Sequence, residues 1–384
     1  MALQTAFTLS PNEIFATIAN MIISQQTFAD NLGKHQSLVD KARVDGSLYG
    51  DRKLYYASDV LNTHAWGGDS EAANLLSLDR PEDPEVQAIV LDTFRQIRLT
   101  LDSYLSKRAW STEGAFASFQ DIMTGWMSET KKVYDGTNYN VYIGNTVSNA
   151  TKATIDIGVA AARGNASTEE EANRLEAGLI AESIANLLVE MGDYNRDFND
   201  YGFLRSYADS DIKIIWNSVW VNKIKKIDLP TIFNKEGLVN KLDEDVLPAR
   251  YFGRAIAASD KGSGKVINAN DEYDNTVGPK IRSKVEFQTT NSSGKKVNHF
   301  AGDEIPNGST IKVGGDFEEA DVYIEDNTIM GKVIAGPLPP YMSAFEVGTS
   351  FFNPRSLTEN RYITFGHNTL SYLKNYPLVT LKAN

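Results

Sequence analysis

The chain has 384 residues, 42% apolar and 10% aromatic, enough to bury large cores over two or three domain-sized units or one elongated body with projections. Fifty acidic against 38 basic residues leave a formal charge of −12, which argues against a protein whose main work is gripping a nucleic-acid backbone. With no cysteine, disulfide frameworks, thiolate metal sites, iron–sulfur clusters and cysteine nucleophiles are excluded, and the four histidines, His35, His64, His299 and His367, include no pair at helical zinc spacing.

Met1 to Asn12 carries no basic region, and the apolar stretch that follows is broken by Asn20 and Gln25, so no secretory signal is read. No apolar run is long enough to span a bilayer, and the expectation is a soluble, intracellular product with no membrane contact. Ser10-Pro11-Asn12-Glu13 is a capping box with proline at the first helical position and predicts a helix from Pro11 to Asn31. From Lys41 to Asn74, Gly46, Gly50, Gly67 and Gly68 punctuate a tyrosine-bearing stretch, Leu48 to Val60, which reads as an extended excursion. After Pro81 and Pro84, Ile97 to Asp102 alternates with period two, the mark of a strand with one buried face. The two extended stretches are expected to pair as a long hairpin-like projection closing near Trp110.

At Ser111 the period changes: Phe116, Phe119, Met123, Trp126, Val133, Tyr134, Thr137 and Val141 recur at three and four. Ser111 as N-cap and Gly144 as C′ residue give about 32 helical residues, roughly 48 Å, with Gly114, Gly125 and Gly136 as points where a kink is expected. A second capping box, Ser167-Thr168-Glu169-Glu170, opens a helix whose Ala172, Leu175, Leu179, Leu187, Leu188 and Met191 share a face and which Gly192 stops. Ile212 to Trp216 reads as a buried strand, followed by a short helix capped by Ser218, then a loop to Asp245, together a compact α/β unit. Lys261 to Gly336 is rich in turn residues with short β runs at Val285–Thr289, Thr310–Val313 and Val322–Ile324, a small β-rich lobe. Pro337, Pro339 and Pro340 end it, and Tyr362–Phe365 and Leu378–Leu381 read as strands.

Chemical motifs are few. Gly262-Ser263-Gly264-Lys265 lacks the spacing of a phosphate loop and reads as a turn. Glu318, Glu319, Asp321, Glu325 and Asp326 could ligate a hard cation but lack EF-hand spacing, and read as a solvated acidic loop. Glu182 and Glu190, as a carboxylate pair on one helix, would stand about 12 Å apart along its axis, too far for glycosidase chemistry. Ser183 has no nucleophile elbow. Lys223, Lys225 and Lys226 beside Trp216 and Trp220 could serve nucleic-acid stacking, but the tryptophans read as core. Asn149, Asn165, Asn291 and Asn307 lie in glycosylation sequons that carry no meaning without secretion.

The order of elements, together with Gln96-Ile97-Arg98-Leu99-Thr100-Leu101-Asp102-Ser103-Tyr104-Leu105 running into Ala109-Trp110-Ser111-Thr112-Glu113-Gly114, and with Phe345-Glu346-Val347-Gly348-Thr349-Ser350-Phe351-Phe352-Asn353-Pro354-Arg355-Ser356-Leu357, resembles the major capsid (major head) proteins of tailed bacteriophages. The resemblance implies an α+β chain with the Hong Kong 97-like capsid fold: an N-terminal arm at 1–40, an extended E-loop hairpin at 41–110, a peripheral domain at 111–165 holding the long spine helix, an axial domain at 166–336 with a β-rich insertion at 261–336, and C-terminal strands at 337–384 returning to the peripheral domain. It implies no enzyme, with no catalytic, cofactor-binding or metal residue and no cofactor. It implies instead a structural protein that self-assembles through pentamers and hexamers into the icosahedral head shell around a double-stranded DNA genome. Its partners are then copies of itself, scaffolding, portal and decoration proteins, and packaged DNA held by weak non-specific contact, to which an acidic wall is suited. The implied location is the virion capsid, assembled in the bacterial host cytoplasm. Lys53 lies in the implied E-loop with no matched crosslinking partner. The alternatives are an encapsulin-like compartment shell, a soluble enzyme whose site forms only in three dimensions around His64, His367 or the acidic loop, and a non-capsid virion or surface-binding protein built on the β-rich lobe.

Overall fold

The structure, a computed structural model, describes residues 38–46, 52–63, 80–102, 113–221, 243–256, 280–291, 293–306 and 319–384. The expected helix at Pro11–Asn31, the Ser111 cap, the strand at Thr310–Val313, the Gly262–Lys265 turn, Lys223 to Lys226, and His35 and His64 lie outside them. Chain segments Met1–Asp51, Val90–Thr137 and Tyr341–Thr369 make up one compact unit, and Arg52–Ile89, Asn138–Pro340 and Leu370–Asn384 the other.

Period-two alternation reaches much further than Ile97–Asp102. Strand β3 runs from Glu85 to Asp102, and its odd-numbered residues Leu91, Ile97, Leu99 and Leu101 all turn inward. Glu85, Asp92, Arg95 and Gln96 hid the first twelve residues, because polar residues there, Glu85 and Arg95 among them at odd places, break up the apolar alternation. In the first unit β3 pairs antiparallel with β14 (Thr358–Asn368), which pairs antiparallel with β13 (Tyr341–Asn353). The start of β13 takes β1 (Arg43–Asp45) as a parallel neighbour, preceded by the short helix α1 (Leu38–Ala42). β2 (Arg52–Ala57) is the neighbour of β3, so the expected pairing of the two extended stretches is present.

Helix α2 (Glu113–Asn145) has 33 residues, and the expected long helix is there. Met123, Trp126, Met127 and Tyr134 lie against Ile97, Leu99, Leu101, Ile363 and Phe365, so the aromatic stripe follows the long strands of the sheet. Gly144 does not stop the helix but lies inside it. A Cβ there would come within 2.1 Å of the Tyr251 carbonyl oxygen, so glycine is required by the close approach of another backbone. Asn145, the last helical residue, donates Nδ2 to the carbonyls of Val141 (2.9 Å) and Tyr251 (3.0 Å).

The second unit is built on a five-stranded sheet of order β4-β15-β12-β5-β6, with β4 Thr154–Ile157, β5 Ile212–Asn217, β6 Asp243–Leu247, β12 Ile329–Ala335 and β15 Leu378–Ala383. β5 is the expected buried strand. Its Ile212, Ile214 and Trp216 meet Met330 and Val333 of β12, Val379 and Leu381 of β15, and Ile180, Leu187, Leu188 and Met191 of helix α4 (Glu169–Gly192). The cap of α4 is one residue later than expected: Thr168 accepts from the Glu171 N–H (3.2 Å), and Glu171 reaches back to the Ser167 N–H (2.9 Å). Leu175 is exposed, and Glu176 takes the inward place, bonded to Arg163 of α3 (Val159–Gly164) at 2.6 Å. The short helix after β5 begins at Ser218, and its cap is Asn217, whose Oδ1 accepts from the Val219 N–H at 3.1 Å.

Ile329 to Ala335, read from sequence as part of the turn-rich lobe, is instead the middle strand of this sheet, buried along its whole length. The lobe itself holds a three-stranded sheet, β7 (Gly253–Arg254), β11 (Val322–Glu325) and β8 (Ile281–Ser283), and a hairpin of β9 (Phe287–Thr290) and β10 (Lys296–His299). Asn291 Oδ1 accepts from the Ser293 and Lys295 N–H groups, and Gly294 takes a φ of 76°, as a tight turn at this place needs. Residues 337–384 divide between the units: β13 and β14 lie in the first and β15 in the second.

Candidate assembly surfaces

The residues with chemical potential are mostly consumed in holding the fold. His367 is buried between the rings of Tyr134 and Tyr341, with Nε2 3.0 Å from the Tyr134 hydroxyl and Nδ1 2.9 Å from the Asn368 carbonyl. Burial pulls its pKa down, and a ring so enclosed is a packing element rather than a base for substrate. His299 stacks on Phe287 at 4.4 Å and meets Thr289 Oγ1 at 2.8 Å. Glu190 pairs with Lys152 at 2.8 Å on the exposed face of α4, and Glu182 is exposed there too. The acidic run disperses: Glu325 bonds Arg282 (2.8 Å), while Asp326 caps Thr328 (3.0 Å). Among the described residues no three acidic or histidine side chains gather as a metal would require. Trp216 and Trp220 are core residues. A cleft of about 450 Å³ beside Val159, Arg163, Glu169, Asn173, Glu176 and Trp220 has its charges already paired, since Arg163 bonds Glu169, Asn173 and Glu176.

Three polar arrangements, the first two of them buried, were not legible in the sequence. Asp135, fully buried on α2, receives Lys131 Nζ (2.9 Å), Arg43 Nη2 (3.1 Å) and the Tyr341 hydroxyl (2.6 Å), tying α2 to β1 and β13. Lys332, at the middle of β12, is inaccessible to solvent and donates to the Thr146 carbonyl and Thr380 Oγ1, each at 2.8 Å. Burial pushes its amine down to about 7. Asp59, just beyond β2, accepts from Arg196 Nη1 and from the N–H groups of Leu204 and Val60, both at 2.9 Å. Burial works to raise its pKa, but the Arg196 and backbone hydrogen bonds outweigh it and bring the carboxyl down to about 2.

What remains available is surface. In the first unit Phe351 and Phe352 are consecutive on β13 and therefore point to opposite faces, yet both are at least half exposed, as is Phe94 on β3. The sheet face away from α2 carries a ladder of small polar groups, with Thr100 Oγ1 donating to Asn360 Oδ1 (2.7 Å) and Gln96 Nε2 to Thr364 Oγ1 (3.1 Å). In the second unit Leu61 and Tyr194 stand out, about three-quarters exposed.

No protein-family model matches the chain, and no curated protein matches it in sequence. Solved structures do. A chain in the capsid structure of Staphylococcus phage Andhra superposes with a TM-score of 0.53 at 11% identity, over 91% of this chain and 84% of that chain. A chain in the structure of the head fiber and inner core protein gp22 of native bacteriophage P68 gives 0.53 at 10% identity, over 89% and 83%. At such identities what is shared is the fold, and it is the mixed helix-and-sheet, Hong Kong 97-like capsid fold that the sequence order implied.

Proposed function

We propose that the chain is a phage major capsid protein, a structural protein and not an enzyme, whose copies assemble into the shell of a virion head. One observation carries the reading: the fold likeness to a chain of a phage capsid extends over nine-tenths of the sequence rather than over one module. The physical features support it. Long strands, a helix of 33 residues and exposed phenylalanines suit a thin subunit that completes its burial against neighbours, and obligate contacts of this kind typically exceed ~2,000 Å².

In this reading residues 1–40 are the N-terminal arm and 41–110 the E-loop, with β2 and β3 as its strands. Residues 111–165 belong to the peripheral domain, with α2 as spine helix, and 166–336 form the axial domain with its insertion at 261–336. Of the C-terminal strands at 337–384, β13 and β14 serve the peripheral domain, and β15 completes the axial sheet. Pentamers and hexamers close an icosahedral shell by repeating one set of contacts. The contents are double-stranded DNA, which a chain of net charge −12 touches weakly. Portal, scaffolding and decoration proteins are the further partners, and assembly takes place in the host cytoplasm.

Light scattering with negative-stain electron microscopy on the purified, concentrated protein tests this. Hollow particles, or rings of five and six subunits, are expected. A persistent compact monomer, even beside co-expressed neighbouring gene products, would refute it.

A further inference from the structure

Within the first unit, β13 is paired from Ser343 to Asn353 with β14 on one side, while on the other β1 covers only Tyr341 to Ser343. Among the described residues, no strand lies against that second side from Glu346 to Asn353. Every residue from Glu346 to Phe352 is exposed, whichever face of the sheet it is on. The stretch holds no lysine and no proline, the residues that commonly keep a sheet edge from meeting another strand. Its one charge is Glu346, 3.7 Å from Lys131 Nζ.

The backbone sets which groups this edge offers. The Ser343 carbonyl accepts from the Gly46 N–H (3.1 Å) on the β1 side, and the bulge between Ser343 and Glu346 shifts the alternation by one place. Glu346, Gly348, Ser350 and Phe352 therefore turn their N–H and C=O groups to the open edge. Such an edge is met by one chemistry, an extended polypeptide strand. The side chains favour a second copy of β13 as that strand. Val347, Thr349 and Phe351, opposite Thr364, Tyr362 and Asn360, share the sheet face away from α2. Antiparallel pairing about a twofold axis normal to the sheet and centred on Thr349 sets Val347 of one copy against Phe351 of the other, and Thr349 against Thr349. Aromatic with β-branched, and threonine with threonine, are favourable cross-strand pairs. A centre on Ser350 sets Val347 against Asn353 instead, and a centre on Gly348 draws the bulge into the pairing. Parallel pairing in register would set Glu346 beside Glu346, whereas the antiparallel pair holds these carboxylates about 20 Å apart along the strand.

We propose that the open edge of β13 is a self-association site, at which two copies of the chain pair antiparallel across a twofold axis at Thr349 into one continuous sheet. The pairing goes beyond the shell reading and does not depend on it.

The chain has no cysteine, so single cysteines placed on the edge report without background. Full-length Thr349→Cys, Val347→Cys and Phe351→Cys are oxidised with copper phenanthroline in air and read as dimers on non-reducing gels. At the axis, a pair without mutual hydrogen bonds has Cα atoms about 4.5 Å apart, within disulfide reach, while two copies of residue 347 stand roughly 14 Å apart. Thr349→Cys should therefore give about ten-fold more dimer than Val347→Cys or Phe351→Cys alone, and the last two, co-expressed with different tags, should crosslink to each other. Ser350→Pro removes an outward N–H without touching the β14 ladder, and added to Thr349→Cys it should abolish the crosslink while the circular dichroism stays unchanged. No excess of dimer at Thr349, whether the edge is open or covered by another segment, would overturn the pairing. Equal crosslinking at all three positions, or a crosslink that survives Ser350→Pro, would overturn it as well. Thr349→Cys dimers without particles would count against the shell reading alone, and particles without the crosslink against this pairing alone.

Discussion

Replacing Lys332 by methionine should weaken the rise of stability with pH above 7. The ammonium of Lys332 is cut off from water, has two neutral oxygens as its hydrogen-bond partners, and has its pKa pushed from 10.5 to about 7 by burial. Between those values the unfolded chain holds a proton that the folded chain has lost, so stability rises with pH through this window. Taking one pKa unit as about 1.4 kcal/mol, the gain from pH 7 to about pH 9.5 is on the order of 3 kcal/mol, an upper bound for this residue. Tyr139, Tyr142, Tyr323 and Tyr341, whose hydroxyls burial raises, act in the opposite sense, but only above the ordinary tyrosine value of 10. Urea titrations of unassembled wild type and Lys332→Met at the two pH values isolate the effect. Methionine keeps the volume but forfeits two hydrogen bonds, so the variant's absolute stability at pH 7 is not diagnostic; the change with pH is. Equal gains in both proteins would refute the idea that Lys332 is buried largely uncharged.

Two glycines of α2 should respond in opposite ways. Gly144→Ala forces a Cβ against the Tyr251 carbonyl and should lower stability by about 2–3 kcal/mol or block folding, whereas Gly125→Ala, with nothing within 4 Å, should gain up to about 1 kcal/mol; melting temperatures decide. His367 has a folded pKa below its unfolded one, so stability should fall as pH drops through about 6.5, and His367→Gln should flatten that acid limb in denaturant titrations. Asp135→Ala leaves buried Lys131 with only the more distant carboxylate of Glu346 (3.7 Å) and should cost about 3 kcal/mol, more than Lys131→Met, as read by chemical unfolding.

Period and caps made much of the fold visible. Ile212–Trp216, Tyr362–Phe365, Leu378–Leu381 and the helix ending at Gly192 follow from where apolar residues recur, although in the helix Glu176 and not Leu175 faces inward. β12 escaped notice because Gly331 and Lys332 sit at its centre, and a lysine is read as solvent-facing until a partner is known. The shifted cap of α4 had no local discriminator, since Ser167 and Thr168 both cap well and each is followed three places on by glutamate. The Asp59 and Asp135 contacts were out of reach for a different reason: Asp59 meets Arg196 across 137 positions and Asp135 meets Arg43 across 92, and no single sequence couples such distant charges. Element order, not any chemical motif, carried the functional reading.

The long ladder of β3, β14 and β13 bears on mechanics as well as shape. β14 is held on both sides nearly from end to end by antiparallel neighbours. A pull along its axis loads all those hydrogen bonds together, in shear, so that none yields until many do; a pull across it would peel them one after another.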